Sequence, residues 1–205
     1  MKWTLKGKMA LITGATKGIG LAIAQEFMHL GASVLLVGRT PAELDKIISR
    51  FDLRKEIVDG LAVDISIPAE REKLISFVNE KWNRLDILVN NVGTNIRKKS
   101  IDYSKEEIEF IFQTNLKSAY CLSRKLHPMM KLSDAAAIVN ISSVAGLTSL
   151  KTGSVYGMTK AAMIQMTKNL ACEWAVDGIR VNAIAPWYIE TPLAKQVLTN
   201  LDYLK

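Results

Sequence analysis

Short apolar runs recur along the chain, each followed by a longer stretch whose apolar positions are spaced three and four apart. The runs are Met9-Ala10-Leu11-Ile12, Val34-Leu35-Leu36-Val37, Leu61-Ala62-Val63, Ile87-Leu88-Val89, Ala137-Ile138-Val139-Asn140-Ile141 and Val181-Asn182-Ala183-Ile184. Unbroken apolar runs of this length suit strands covered on both faces, as in a parallel sheet. The stretches between them carry helix signals. Thr40-Pro41-Ala42-Glu43 offers an N-cap, a proline at the first helical position and a glutamate at the third, and Leu44, Ile47, Ile48 and Phe51 continue as one stripe. Ser104-Lys105-Glu106-Glu107 repeats the capping pattern ahead of Ile108, Ile111 and Phe112. Six runs alternating with helices predict an α/β chain with a doubly wound parallel sheet, strand order 3-2-1-4-5-6 and right-handed crossovers. With no linker or repeat in view, residues 1–205 are expected to form one domain.

Composition narrows the function. Hydrophobic residues make up 49% and charged residues 23%, which is globular rather than disordered. No apolar run is long enough to span a bilayer, and the N-terminal residues lack the apolar core of an export signal, so a cytoplasmic protein without a membrane partner is expected. Net charge is +7, but the densest basic cluster, Arg97-Lys98-Lys99, is three residues long, too short for a nucleic-acid interface. Two widely separated cysteines, Cys121 and Cys172, and two histidines, His29 and His127, give no metal-ligand spacing, so no metal site is expected.

The first strand runs into Thr13-Gly14-Ala15-Thr16-Lys17-Gly18-Ile19-Gly20, followed by a helical stretch. Glycines at 14, 18 and 20 suit a tight turn, close backbone approach to a phosphate, and close packing of helix on strand. The helix start then aims unpaired amides at an anion, which points to a dinucleotide. The second strand ends Val37-Gly38-Arg39-Thr40, with no acid for ribose hydroxyls. Arg39, helped by Lys17, suits a 2′-phosphate, which favours NADP(H) over NAD(H). The plain alternative is that Arg39 is a solvated loop residue.

Tyr156 and Lys160 stand four apart in Ser154-Val155-Tyr156-Gly157-Met158-Thr159-Lys160, on one face of a helical stretch. A free phenol ionises near pH ~10, and an acid/base role near neutrality asks for a drop of roughly 3 units, or about 4 kcal/mol. A neighbouring ammonium is expected to supply part of it. Ser143 follows the fifth strand and is expected to face the same crevice, and Asn115 lies in a helical segment. Simpler readings are a loop-capping serine and a helix-bending asparagine.

Taken together, the glycine loop, Asp64 after strand three, Asn90-Asn91-Val92-Gly93 after strand four, Asn115, Ser143, Tyr156, Lys160 and the stretch Pro186 to Thr191 resemble the short-chain dehydrogenase/reductase family. The stretches around Trp3, Gly93-Thr94-Asn95-Ile96-Arg97-Lys98, Asn169 to Trp174 and Ala185 to Ile189 look like its tropinone-reductase-like members. The resemblance implies a Rossmann-type fold and a ketone or alcohol substrate, interconverted by hydride transfer. It implies a catalytic tetrad of Asn115, Ser143, Tyr156 and Lys160, with Asn115 anchoring a proton-relay water. It implies cofactor contacts from Gly14, Thr16, Lys17, Gly18, Ile19, Gly20, Arg39, Asp64, Ile65, Asn91, Gly93, Tyr156, Lys160, Pro186, Ile189 and Thr191. A homodimer through helices near 103–130 and 153–175 is expected, rather than a tetramer.

Two departures from the family pattern matter. Trp187 stands after Pro186 where glycine is common, and an indole there would favour an apolar or cationic substrate. Relatives also continue beyond the equivalent of Lys205 with the rest of a helical substrate lobe and a seventh strand. The sheet is therefore expected to lack that strand, and Leu193, Val197, Leu198 and Leu201 are placed on one short helix. This leaves a second function open, a dinucleotide-binding protein that does not catalyse.

Overall fold

The structure, a computed structural model, describes residues 3–51 and 58–191. Six strands alternate with helices: β1 (Met9–Thr13), α1 (Gly18–His29), β2 (Ser33–Gly38), α2 (Pro41–Arg50), β3 (Val58–Ala62), α3 (Pro68–Lys81) and β4 (Ile87–Asn90). Then follow α4 (Lys105–Phe112), a π-helical turn (Gln113–Lys117), α5 (Ser118–Met130), β5 (Ala137–Ile141), α6 (Ser154–Glu173) and β6 (Arg180–Ile184). All pairings are parallel, in the order β3-β2-β1-β4-β5-β6. The sheet is thus the doubly wound one predicted, and among the described residues β6 is its outer strand, with no seventh. The helix expected over 193–201 lies outside the described residues.

Side chains alternate across the strands and build two cores. Leu11, Leu35, Leu88, Ile138 and Val181 face α3, α5 and α6, while Ala10, Ile12, Val34, Leu36 and Val89 face α1 and α2. The stripe on α2 behaves as expected, with Leu44 and Ile47 buried and Ile48 and Phe51 packed beside them. Two local readings need correction. Thr40 precedes α2 without making a side-chain cap bond, so Pro41 with its preset φ is what marks that helix start. β3 begins three residues before the expected run, because as an outer strand it tolerates Asp59 and Gly60. At α4 the predicted capping box is present: Ser104 Oγ accepts from the Glu107 amide at 3.2 Å, and the Ser104 amide donates to Glu107 Oε2 at 3.0 Å.

A buried carboxylate sits at the strand ends opposite the site. Asp86 accepts from the Met9 amide at 2.8 Å, from Ser133 Oγ at 2.5 Å and from Arg84 Nε at 3.2 Å, with Lys8 Nζ at 3.6 Å. Burial pushes its carboxyl up, but the Ser133 hydroxyl, the Met9 amide and the two cations together hold it below the ordinary value. A depressed carboxyl contributes stability above its unfolded value and loses it as the pH falls through the folded one. Asp86→Asn is therefore expected to flatten the fall in stability between pH 5 and pH 2, read by denaturant midpoints. An acid limb as steep as in the parent would show that Asp86 does not drive it.

Candidate active site

Order reversal in the sheet falls between β1 and β4, and in an open α/β sheet ligands bind outside the carboxyl ends of the strands at that point. A cavity of about 770 Å³ opens there. It runs from the glycine loop and the ends of β2 and β3 to Ser143, Tyr156 and Trp187. That volume suits a ligand of cofactor size.

The glycine loop is built for close approach. Gly14 and Gly18 hold φ of 64° and 57°, a region that disfavours other residues. A Cβ on Gly20 would stand 2.3 Å from the Gly14 carbonyl oxygen and 2.4 Å from Asn91 Nδ2. Gly20 therefore lies behind the cavity wall and lets α1 press against the turn, whereas Gly14, Thr16, Lys17, Gly18 and Ile19 line the cavity. The Lys17 side chain makes no cap bond to α1, and Lys17, Gly18 and Ile19 at the helix start line the cavity. Asn91 ties the loop to β4: its Nδ2 donates to the Thr13 and Gly14 carbonyls at 3.0 and 3.1 Å. Thr13 Oγ1 accepts from the Asn91 amide at 3.0 Å, a tie that no sequence pattern had marked.

At the outer end, Arg39 and Asp64 face one another, with Nη1 4.0 Å from Oδ2. Asp64 Oδ1 also accepts from the Ser66 amide and hydroxyl at 2.9 and 2.7 Å. Behind this turn the buried Arg71 donates to the Ile65 and Ser66 carbonyls at 2.7 and 3.1 Å. On sequence Arg71 reads as a charge on an exposed helix face, so its role in shaping the turn was invisible. These residues make a cradle that fits a dinucleotide: a turn whose glycines leave the backbone bare toward the cavity, the start of α1, and a cation at the far end.

At the inner end α6 brings Tyr156 and Lys160 onto one face, as their spacing predicts. Lys160 is 2% exposed, and its Nζ donates to the Ile141 carbonyl at 2.7 Å. Burial lowers its pKa to about 8, so it remains largely a cation at neutral pH. Ser142 Oγ donates to the Lys160 carbonyl at 2.9 Å and fastens the helix to the end of β5. Ser143 Oγ accepts from the Ala145 amide at 3.1 Å, which caps the turn after β5 and also fixes the hydroxyl beside Tyr156.

The phenol departs from expectation. Burial dominates and pushes the Tyr156 pKa up; the Ser143 hydroxyl and the Arg97 charge pull the other way without prevailing. The Lys160 ammonium is turned toward Ile141 and lies 5.7 Å from the Tyr156 ring centroid, so it does not lower the phenol as the spacing suggested.

Asn115 is fully buried in the π-helical turn, a distortion often found at functional sites. Its Nδ2 donates to the Thr94 carbonyl at 2.9 Å and to Thr159 Oγ1 at 3.1 Å, and its Oδ1 accepts from the Thr94 amide at 2.8 Å. The side chain is a clamp between the loop after β4 and α6. Gly93 completes this corner: a Cβ there would stand 3.2 Å from Lys160 Nζ.

Pro186, Trp187, Tyr188, Ile189 and Thr191 follow β6 and close one side of the cavity. Trp187 is 55% exposed and meets Tyr188 edge to face, with centroids 4.9 Å apart. Leu150 also lines the cavity, whereas Leu147 is exposed outside it. Among the described residues no helix is long and apolar enough to cross a membrane, and no three His, Cys, Asp or Glu side chains gather as a metal set.

This combination of doubly wound sheet, glycine cradle and Ser-Tyr-Lys corner defines a dinucleotide-dependent oxidoreductase class. The sequence profile of the short chain dehydrogenase family matches residues 8–202, and the chain belongs to that family. It is 46% identical to a tropinone reductase homolog of Arabidopsis thaliana over 205 residues, covering all of this chain and 78% of the relative. A second Arabidopsis tropinone reductase homolog is 46% identical over 197 residues, covering 96% of this chain and 74% of its own length. The crystal structure of L-sorbose reductase from Gluconobacter frateurii, complexed with NADPH and L-sorbose, is 34% identical with a TM-score of 0.89, covering 97% of this chain and 75% of that one. A gluconate 5-dehydrogenase from Burkholderia cenocepacia, in complex with NADP and tartrate, superposes with a TM-score of 0.90 at 27% identity, covering 98% and 79%.

Proposed function

We propose that this chain is an NADP(H)-dependent reductase that interconverts a ketone and a secondary alcohol, with Tyr156 as the acid/base. The observation that carries the reading is that a single cavity holds both Arg39 with the glycine loop at one end and Ser143, Tyr156 and Lys160 at the other. Two solved relatives that hold NADPH or NADP support the choice of cofactor.

The residues divide the work by position. Gly14, Thr16, Lys17, Gly18 and Ile19 would hold the pyrophosphate, Arg39 the 2′-phosphate, and Asp64 and Ile65 the adenine. Asn91 and Gly93 would line the adenosine-ribose side, and Ile189 and Thr191, with Pro186 beside them, would hold the nicotinamide carboxamide. When bound, NADPH supplies a hydride. Ser143 then donates a hydrogen bond to the substrate carbonyl oxygen and holds it beside the phenol. Tyr156 gives that oxygen its proton. Its raised pKa keeps the phenol protonated at neutral pH, which suits an acid in the reductive direction. Lys160, whose ammonium faces the Ile141 carbonyl, would hold a hydroxyl of the nicotinamide ribose. Asn115 is a positioning residue, because its clamp keeps the loop after β4 beside Lys160. A homodimer through α4, α5 and α6 suits the exposed Ile108, Tyr120 and Met158.

The test is oxidation of NADPH at 340 nm across a panel of cyclic and acyclic ketones, run beside NADH. NADPH binding without turnover on any ketone would favour a binding protein instead. Arg39→Asp is expected to weaken NADPH at least about tenfold while NADH changes little, since one charge-assisted bond is gained or lost only with the phosphate. Equal losses for both dinucleotides would remove Arg39 from phosphate recognition.

A further inference from the structure

The cavity holds a cation that the proposed chemistry does not use. Arg97 lies on the loop after β4, in a basic cluster that reads on sequence as a solvated surface. The structure sorts that cluster. Lys98 turns outward to Glu107 at 2.6 Å, Lys99 is exposed, and Arg97 turns inward and lines the cavity half-buried. Among the described residues no carboxylate lies within ion-pair distance of Arg97, although cations elsewhere on the surface find partners readily.

The loop that carries it is held in place. Thr94 is bonded in both directions to Asn115, Tyr103 Oη donates to the Ile96 carbonyl, and the Gly153 amide donates to the Lys98 carbonyl at 3.2 Å. Arg97 therefore projects from backbone tied on either side. It is close enough to the acid/base that its charge pulls on the Tyr156 phenol.

Charge along the cavity is uneven. Its carboxylates, Glu43 and Asp64, both lie at the end formed by β2 and β3, with Lys17 and Arg39. Among the described residues, the lining of the end that holds Ser143 and Tyr156 includes Arg97, Lys151 and Lys160 and no acid. A cationic substrate, which Trp187 alone would favour, meets like charge there. The dinucleotide phosphates would have their own cradle at the start of α1.

We propose that the substrate is a ketone that carries a carboxylate, and that Arg97 is the specificity residue that binds it. This rests on the reductase reading above. A guanidinium presents a planar fork that matches the two oxygens of a carboxylate, and such a bond is strongest where the pair is partly shielded from water. Binding the carboxylate at Arg97 fixes where the ketone can sit, and only a ketone placed against Ser143 and Tyr156 receives the proton.

Matched probes test this. With NADPH, 4-oxopentanoate is compared with its methyl ester, and 3-oxocyclohexanecarboxylate with its methyl ester. The acids are expected to exceed the esters in kcat/KM by about tenfold or more, the worth of a charge-assisted bond. In Arg97→Gln that ratio is expected to fall about tenfold, in Arg97→Lys by less, and in the exposed control Lys99→Gln not at all. Equal turnover of acid and ester, or a ratio that Arg97→Gln leaves unmoved, would overturn the carboxylate role while leaving the reductase reading intact. If neither acid nor ester turns over, the reductase reading is what fails, and calorimetric titration of 4-oxopentanoate into the protein with NADP⁺ decides the anion site by itself. Binding that Arg97→Gln abolishes supports the site; binding equal in both proteins, or absent from both, overturns it.

Discussion

Tyr156→Phe is expected to lower turnover by at least about 10²-fold while leaving NADPH affinity within a factor of about two. General acid catalysis is typically worth 10²–10⁴-fold, and phenylalanine keeps the ring while removing the proton. The ring is half-buried at the cavity wall beside Ser143, and phenylalanine keeps its shape there. The loss should appear in kcat and kcat/KM alike, as it does when an interaction made only in the transition state is removed. Fluorescence titration with NADPH and steady-state turnover of one ketone measure the two halves. Turnover near that of the parent would mean that another group supplies the proton, and Ser143 would then be the residue to substitute.

Gly20→Ala should be nearly as damaging by a different route. The added methyl would lie 2.3 Å from the Gly14 carbonyl and 2.4 Å from Asn91 Nδ2, and neither can move freely. The carbonyl is backbone, and Asn91 is held by two bonds to the same turn. Helix α1 must back away, at a cost of about 1–3 kcal/mol for an overpacked contact. For a chain of this size that lowers Tm by on the order of 5 °C. The displaced α1 amides no longer converge on the phosphate position, so NADPH affinity should fall about tenfold or more. An alanine variant with parental Tm and affinity would show that the turn is looser than its contacts indicate.

The sheet order was legible because β1, β2, β4 and β5 are buried on both faces or nearly so, and such strands write themselves as unbroken apolar runs. β3 was placed late because an outer strand can carry Asp59 and Gly60, which mimic a turn. The glycine loop and the Tyr156–Lys160 spacing were readable for a related reason: backbone approach and helical periodicity constrain residue types directly. What stayed hidden depends on direction. Arg71 and Arg97 look like surface charges, and nothing in their neighbours says that one points under the turn at Ile65 and the other into the cavity. The phenol pKa was misjudged on the same ground, since helical spacing places Lys160 near Tyr156 but does not say that its ammonium faces Ile141.

The cavity sits on the line where the sheet reverses its order, and each side of that line supplies only half of its wall. Residues through Ser66 provide the glycine loop, Arg39 and Asp64, and residues from Asn91 onward provide the corner around Tyr156. A bound dinucleotide would span the two sides like a staple. By mass action, a ligand held by the folded chain alone deepens its stability by about 2.7 kcal/mol at a hundredfold excess over Kd. Cofactor supply would therefore govern how much of this protein survives in a cell, as well as how fast it works.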